Sequence, residues 1–123
     1  MAVITLDFHS KALKMCTLVT LVVPDSVRIK GIPLSARRTV YLLHGLSEDA
    51  TAFLRLSGAE RYARAHDLVL VMPTGGRSMY CDGINGQNWF TYIAEELPEY
   101  LHLLMGLSRR REQNFIAGHS CLL

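Results

Sequence analysis

Two short runs of the chain, Thr39-Val40-Tyr41-Leu42-Leu43 and Leu68-Val69-Leu70-Val71-Met72, are apolar at almost every position. A strand facing water on one side would alternate polar and apolar residues. A run without that alternation fits a strand buried on both faces, as in a parallel sheet covered by helices. Between the two runs, Ser57-Gly58-Ala59-Glu60 fits a capping box in which the serine caps and the glutamate reaches back. It predicts a helix to about His66, with Ala59, Tyr62, Ala63 and His66 facing the core and Asp67 at its end. A strand, a helix and a further strand in that order place the chain in the α/β class, with right-handed crossovers.

The flanking segments extend this frame. Val3 to Phe8 alternates with the period of a half-buried strand, His9-Ser10-Lys11 reads as a turn, and Met15 to Val23 as a second strand ended by Pro24. Joined so closely, these two strands pair antiparallel. Pro24 to Arg38 is loop-like. Glu48 and Asp49 suit a helix N-terminus, with a short helix from Ala50 to Leu56. Thr74 to Asn88 contains four glycines and no periodicity, and a loop of that length in a compact domain is usually functional. Tyr92 to Met105 is helical by pattern, with Ile93, Leu97, Leu101, Leu104 and Met105 on one face, a kink or late start at Pro98 and a stop at Gly106. Asn114 to Ala117 is the last strand. The expected order is β-β-β-α-β-α-β.

Composition excludes several classes. A chain of 123 residues, half of them apolar and a fifth charged, is one globular domain. A formal net charge of +2 gives no case for a nucleic-acid partner, and Arg109-Arg110-Arg111 reads as a solvated helix end. Cys16, Cys81 and Cys121 form an odd set without metal-ligand spacing, so no disulfide framework, metal or cofactor is expected, and a reducing, cytoplasmic setting is. Met15 to Val23 is too short to span a membrane and lacks a following cleavage site.

The chemistry concentrates where strands end. Gly118-His119-Ser120-Cys121-Leu122 matches four positions of the G-x-S-x-G nucleophile elbow and departs at the fifth, where Leu122 replaces a small residue. His44-Gly45-Leu46 directly follows another strand. In acyl transfer the carbonyl oxygen becomes negative, and two preorganised backbone N–H groups stabilise it best. The candidate donors are Cys121, after the serine, and Leu46, or Gly45 beside it. His44 reads as structural. A dinucleotide-binding reading fails, since no G-x-G-x-x-G follows a strand.

Four blocks carry a resemblance: Tyr-Leu-Leu-His-Gly-Leu-Ser (41–47), Val-Met-Pro-Thr-Gly-Gly-Arg-Ser-Met-Tyr (71–80), Tyr-Ile-Ala-Glu-Glu-Leu-Pro (92–98) and Phe-Ile-Ala-Gly-His-Ser (115–120). In this order and spacing the chain resembles the esterase D group of α/β-hydrolases, among them tributyrin esterase and S-formylglutathione hydrolase-like carboxylesterases. The resemblance implies a serine carboxylesterase that cleaves short-chain acyl esters through an acyl-enzyme. It implies Ser120 as the nucleophile, Leu46 and Cys121 as oxyanion donors, and Tyr80 and Trp89 near the acyl pocket, where packing beneath a long loop is the alternative for the last two.

It further implies sheet order 1-2-4-3-5-6-7-8, of which this chain supplies the first five strands. Residues 1–123 are thus expected to be a single incomplete α/β-hydrolase domain, mostly parallel with an antiparallel N-terminal pair and truncated at the elbow. The acid and histidine of the triad follow the serine in this fold. His9, His66, His102, His119 and Asp82 are not spaced to replace them. The competing expectation is a non-catalytic remnant, or an interaction module that self-associates through an open sheet edge.

Overall fold

A computed structural model of the protein describes residues 2–25, 30–44, 49–51, 54–55, 57–74, 82–84 and 87–118, with the backbone alone for 82–84 and 87. Its centre is a five-stranded sheet. Strands β1 (Ala2–Ser10) and β2 (Met15–Val23) form an antiparallel hairpin, paired from Ala2↔Val23 to Ser10↔Met15. Then come β3 (Thr39–Leu43), helix α1 (Ala59–His66) and β4 (Val69–Pro73). Two short strands, β5 (Asp82–Ile84) and β6 (Gln87–Asn88), pair with each other, and β7 (Asn114–Gly118) closes the order. The sheet runs β1-β2-β4-β3-β7, the order implied by the resemblance. β3 is parallel to β4 and to β7, whereas β2 joins β4 antiparallel. Parallel and antiparallel pairings are therefore evenly divided, and the sheet is mixed.

The unbroken apolar runs are explained by two cores. On one face Tyr41, Leu43, Val69 and Val71 pack with Phe8, Val19, Leu21, Trp89, Tyr92, Ile93, Leu97 and Leu101. On the other, Leu70 and Met72 pack with Val22 and Ala63, and Val40, Leu42 and Leu68 lie against them. Successive β4 residues thus point into opposite cores, as the period of two requires.

The second core is covered by α1, though not as the sequence predicts. Gly58 is the N-cap and no side chain caps it; the Ser57 hydroxyl accepts the Ala59 N–H at 3.2 Å. Tyr62 is 63% exposed and His66 is exposed, leaving Ala63 as the buried contact of a helix only two turns long. Its end is as expected: Asp67 adopts φ 55° and its N–H bonds to Ala63 and Arg64 carbonyls. Buried Arg37 reaches the Asp67 carboxylate at 3.4 Å.

The first core is covered by α2, which begins earlier than expected. It comprises Trp89–Thr91, a π-helical segment Tyr92–Glu96, and Leu97–Met105. The Leu97 N–H bonds to the Tyr92 carbonyl, so the wider turn ends just before Pro98, the residue that has no N–H to give to the helix ladder. Tyr92, Ile93, Leu97 and Leu101 are buried, while Leu104 is 52% exposed. Gly106 at φ 76° ends the helix. The three arginines lie past that end: Arg109 and Arg110 are in irregular chain and Arg111 opens a 3-10 turn, all exposed.

The β1–β2 connection also lies later than expected. Ser10 still pairs in β1, and the turn is Lys11 to Lys14, where Lys14 takes φ 58° and donates its N–H to the Ser10 carbonyl at 2.9 Å. Of the expected helix over 50–56, residues 52, 53 and 56 lie outside the described residues; 50 and 51 form a turn, 54 and 55 are helical, and the Arg55 N–H donates to the Thr51 carbonyl at 3.1 Å. Among the described residues no helix is long and apolar enough to cross a membrane.

Candidate active site

Two parallel strands end side by side where two of the candidate motifs begin. β3 and β7 are in register from Thr39↔Asn114 to Leu43↔Gly118, so both strands end side by side. From Leu43 the chain passes through His44 towards Leu46; from Gly118 it passes towards Ser120 and Cys121. Leu46, Tyr80, Ser120 and Cys121 lie outside the described residues, as do Gly45 and His119. What the described residues show is the paired ends of β3 and β7, after which Leu46 and Ser120 follow in sequence.

His44 is 2% exposed at the end of β3, in keeping with a structural reading. Across the loop, Asp49 Oδ1 accepts the Thr51 N–H at 2.8 Å and the Thr51 hydroxyl at 2.6 Å. Arg55 Nε donates to the Thr51 hydroxyl oxygen at 2.9 Å. The Thr51 hydroxyl, then its N–H, hold the Asp49 carboxyl below the usual carboxylate range, with smaller help from Arg55 and His44. Asp49 thus serves as the acceptor of a local turn over residues 49–51.

Trp89 is 5% exposed and opens α2 inside the first core. Its ring meets Tyr92 edge-on at 6.2 Å, and Phe8 lies 6.2 Å from Tyr92 and stacks on Tyr100 at 4.6 Å. Of the other described histidine candidates, His9 is exposed on β1, His66 is exposed on α1, and His102 directs Nδ1 to the Leu107 carbonyl at 2.8 Å. Among the described residues no three His, Cys, Asp or Glu side chains gather in a group fit to hold a metal.

Sequence reasoning missed one polar contact beside this region. Glu96, in the π-helical segment, accepts the Ser10 hydroxyl with one carboxylate oxygen and the Lys11 N–H at 2.8 Å with the other. Its partners lie 86 and 85 residues earlier, so no local pattern could announce it.

Comparison with known proteins places this arrangement. No family model matches the chain. An acetyl esterase of Caldicellulosiruptor saccharolyticus is 26% identical over 125 residues, covering 98% of this chain and 47% of that enzyme. Among solved structures, the Staphylococcus aureus fluorophosphonate-binding serine hydrolase FphF is 37% identical with a TM-score of 0.86, over 98% of this chain and 48% of its own. The S-formylglutathione hydrolase FrmB of Staphylococcus aureus is also 37% identical, with a TM-score of 0.82 over 97% of this chain and 47% of its own. The chain spans about half the length of each of these proteins. Its fold is that of the N-terminal half of an esterase-like α/β-hydrolase.

Proposed function

We propose that the chain carries the nucleophile half of a serine carboxylesterase acting on small, short-chain acyl esters. The observation that carries this reading is the pairing Leu43↔Gly118 between parallel strands, in a chain 37% identical to a serine hydrolase over nearly its whole length. In that reading Ser120 Oγ attacks the acyl carbonyl and gives its proton to a base. The carbonyl oxygen, now negative, receives the N–H groups of Leu46 and Cys121. Collapse expels the alcohol and leaves an ester on Ser120, which water then hydrolyses to the acid and free serine. Tyr80 and Trp89 border the acyl group. The acid and histidine are supplied by the part of the hydrolase fold that follows the serine in chain order. The odd cysteine set supports a cytoplasmic setting.

The test is hydrolysis of p-nitrophenyl acetate, and labelling by a fluorophosphonate, with Ser120→Ala alongside. Turnover and labelling that disappear in the variant support the reading. Equal turnover in both proteins would sink it for this chain.

A second reading, an interaction module without catalysis, is favoured by β7. Phe115 and Ile116 are 48% and 65% exposed, and among the described residues β7 pairs only with β3. In this reading the open edge takes a second copy of the chain, and a compact monomer in analytical ultracentrifugation would count against it.

A further inference from the structure

We infer that Glu96 is a positioning residue, which with the Lys11–Lys14 turn anchors Trp89 in place and thereby holds one side of the candidate acyl pocket; the pocket clause rests on the hydrolase reading. The turn grips the chain on both sides of Trp89. Before it, the Asn88 N–H donates to the Ala12 carbonyl at 3.0 Å. After it, the Glu96 carboxylate receives the Ser10 hydroxyl and, at 2.8 Å, the Lys11 N–H. Ser10 Oγ itself accepts the Leu13 N–H at 3.1 Å, so one carboxylate organises the whole turn.

Three features make this more than a surface contact. Ser10 is fully buried, and its hydroxyl would lose its acceptor if Glu96 were removed. Hydrogen bonds to an ionised carboxylate are among the stronger ones a protein makes. Glu96 also closes the π-helical segment, a local change of helix register often found at functional sites. The aromatic rings add a third tie, since Trp89 meets Tyr92 and Tyr92 meets Phe8 on β1, two residues before Ser10. The hairpin β5–β6 ends at Asn88 and is fastened to the same turn.

Trp89 is the single tryptophan, so its emission reports directly on the anchor. In Glu96→Ala the emission should move to the red and acrylamide quenching should rise, with far-UV circular dichroism retained. Glu96→Gln, which keeps one acceptor oxygen, should fall between that variant and the parent. Ser10→Ala, which keeps the Lys11 bond, should show a smaller shift of the same sign, and it carries the test if Glu96→Ala fails to fold. Emission and quenching unchanged in a folded Glu96→Ala or Ser10→Ala protein would overturn the inference. Where hydrolysis is present, the butyrate-to-acetate ratio should also change in Glu96→Ala. A Trp89 shift in a chain without Ser120-dependent hydrolysis would uphold the anchor and count against the hydrolase reading alone.

Discussion

Leu43 and Gly118 are partners in register at the adjoining ends of β3 and β7, although they are far apart in the chain. Because the strands are parallel, both segments leave the sheet on the same side. In open α/β sheets that side, at the carboxyl ends of the strands, is where ligands bind. The His44-Gly45-Leu46 and Gly118-His119-Ser120 motifs therefore begin from neighbouring points.

If the Cys121 N–H is an oxyanion donor, its thiol is dispensable and its amide is not. Cys121→Ala should keep fluorophosphonate labelling and ester turnover near the parent level. Cys121→Pro, which lacks the N–H, should lower turnover by about 10²–10³-fold, the usual cost of removing one such donor. Side-by-side kinetics on p-nitrophenyl acetate measure the difference.

Leu101 and Leu104 share a helical face in the sequence pattern, yet one is fully buried and the other is 52% exposed. Leu101→Ala should cost about 2–5 kcal/mol through lost burial and a residual cavity. Leu104→Ala should stay within about 0.5 kcal/mol of the parent, as surface changes do. Urea denaturation of both variants separates them.

Ile116 is 65% exposed on β7, in a strand without charge or proline to discourage pairing. On the interaction reading, Ile116→Lys should reduce self-association while leaving the secondary structure intact. Sedimentation velocity across a concentration series measures this, and an unchanged monomer fraction argues against β7 as the contact.

Burial pushes the Tyr41 phenol up to about 12 from an ordinary 10, with Arg109 opposing the rise. Tyr92 is pushed up as well, chiefly by burial. The folded state thus holds these protons more tightly than the unfolded one. For Tyr41 that contribution is complete below pH 10 and is lost as pH rises through about 12; for Tyr92 it is likewise lost on the alkaline side. Tyr41→Phe should flatten that alkaline loss in part, leaving the share due to Tyr92, as read by denaturant midpoints along a pH series.

The strands were legible because their signals are local. Val69 to Met72 reads as buried on both faces, and its side chains do divide between two cores. Asp67 and Gly106 were recognisable stops, and both take positive φ. Where the pattern misled, a neighbour distant in sequence decided the outcome. Tyr62 and His66 have core-facing spacing, but α1 lies so that Ala63 alone is buried. Pro98 forecast a kink or late start, and the helix instead absorbed it by widening over Tyr92–Glu96. The serine motif was visible as residue types; the site's shape depends on which strand ends stand together.

Periodicity, turn residues and motif spacing are properties of adjacent residues, and they alone determined the α/β class, the chain order of the five sheet strands and Ser120 as the candidate nucleophile, though not the small β5–β6 hairpin inside the segment read as a loop. Tertiary structure alone decided that β2 joins β4 antiparallel, that Leu43 meets Gly118, and that Glu96 closes a turn 85 residues away. Those contacts form only when separate elements bury their apolar faces together, and which faces meet is set by the packing of the whole sheet.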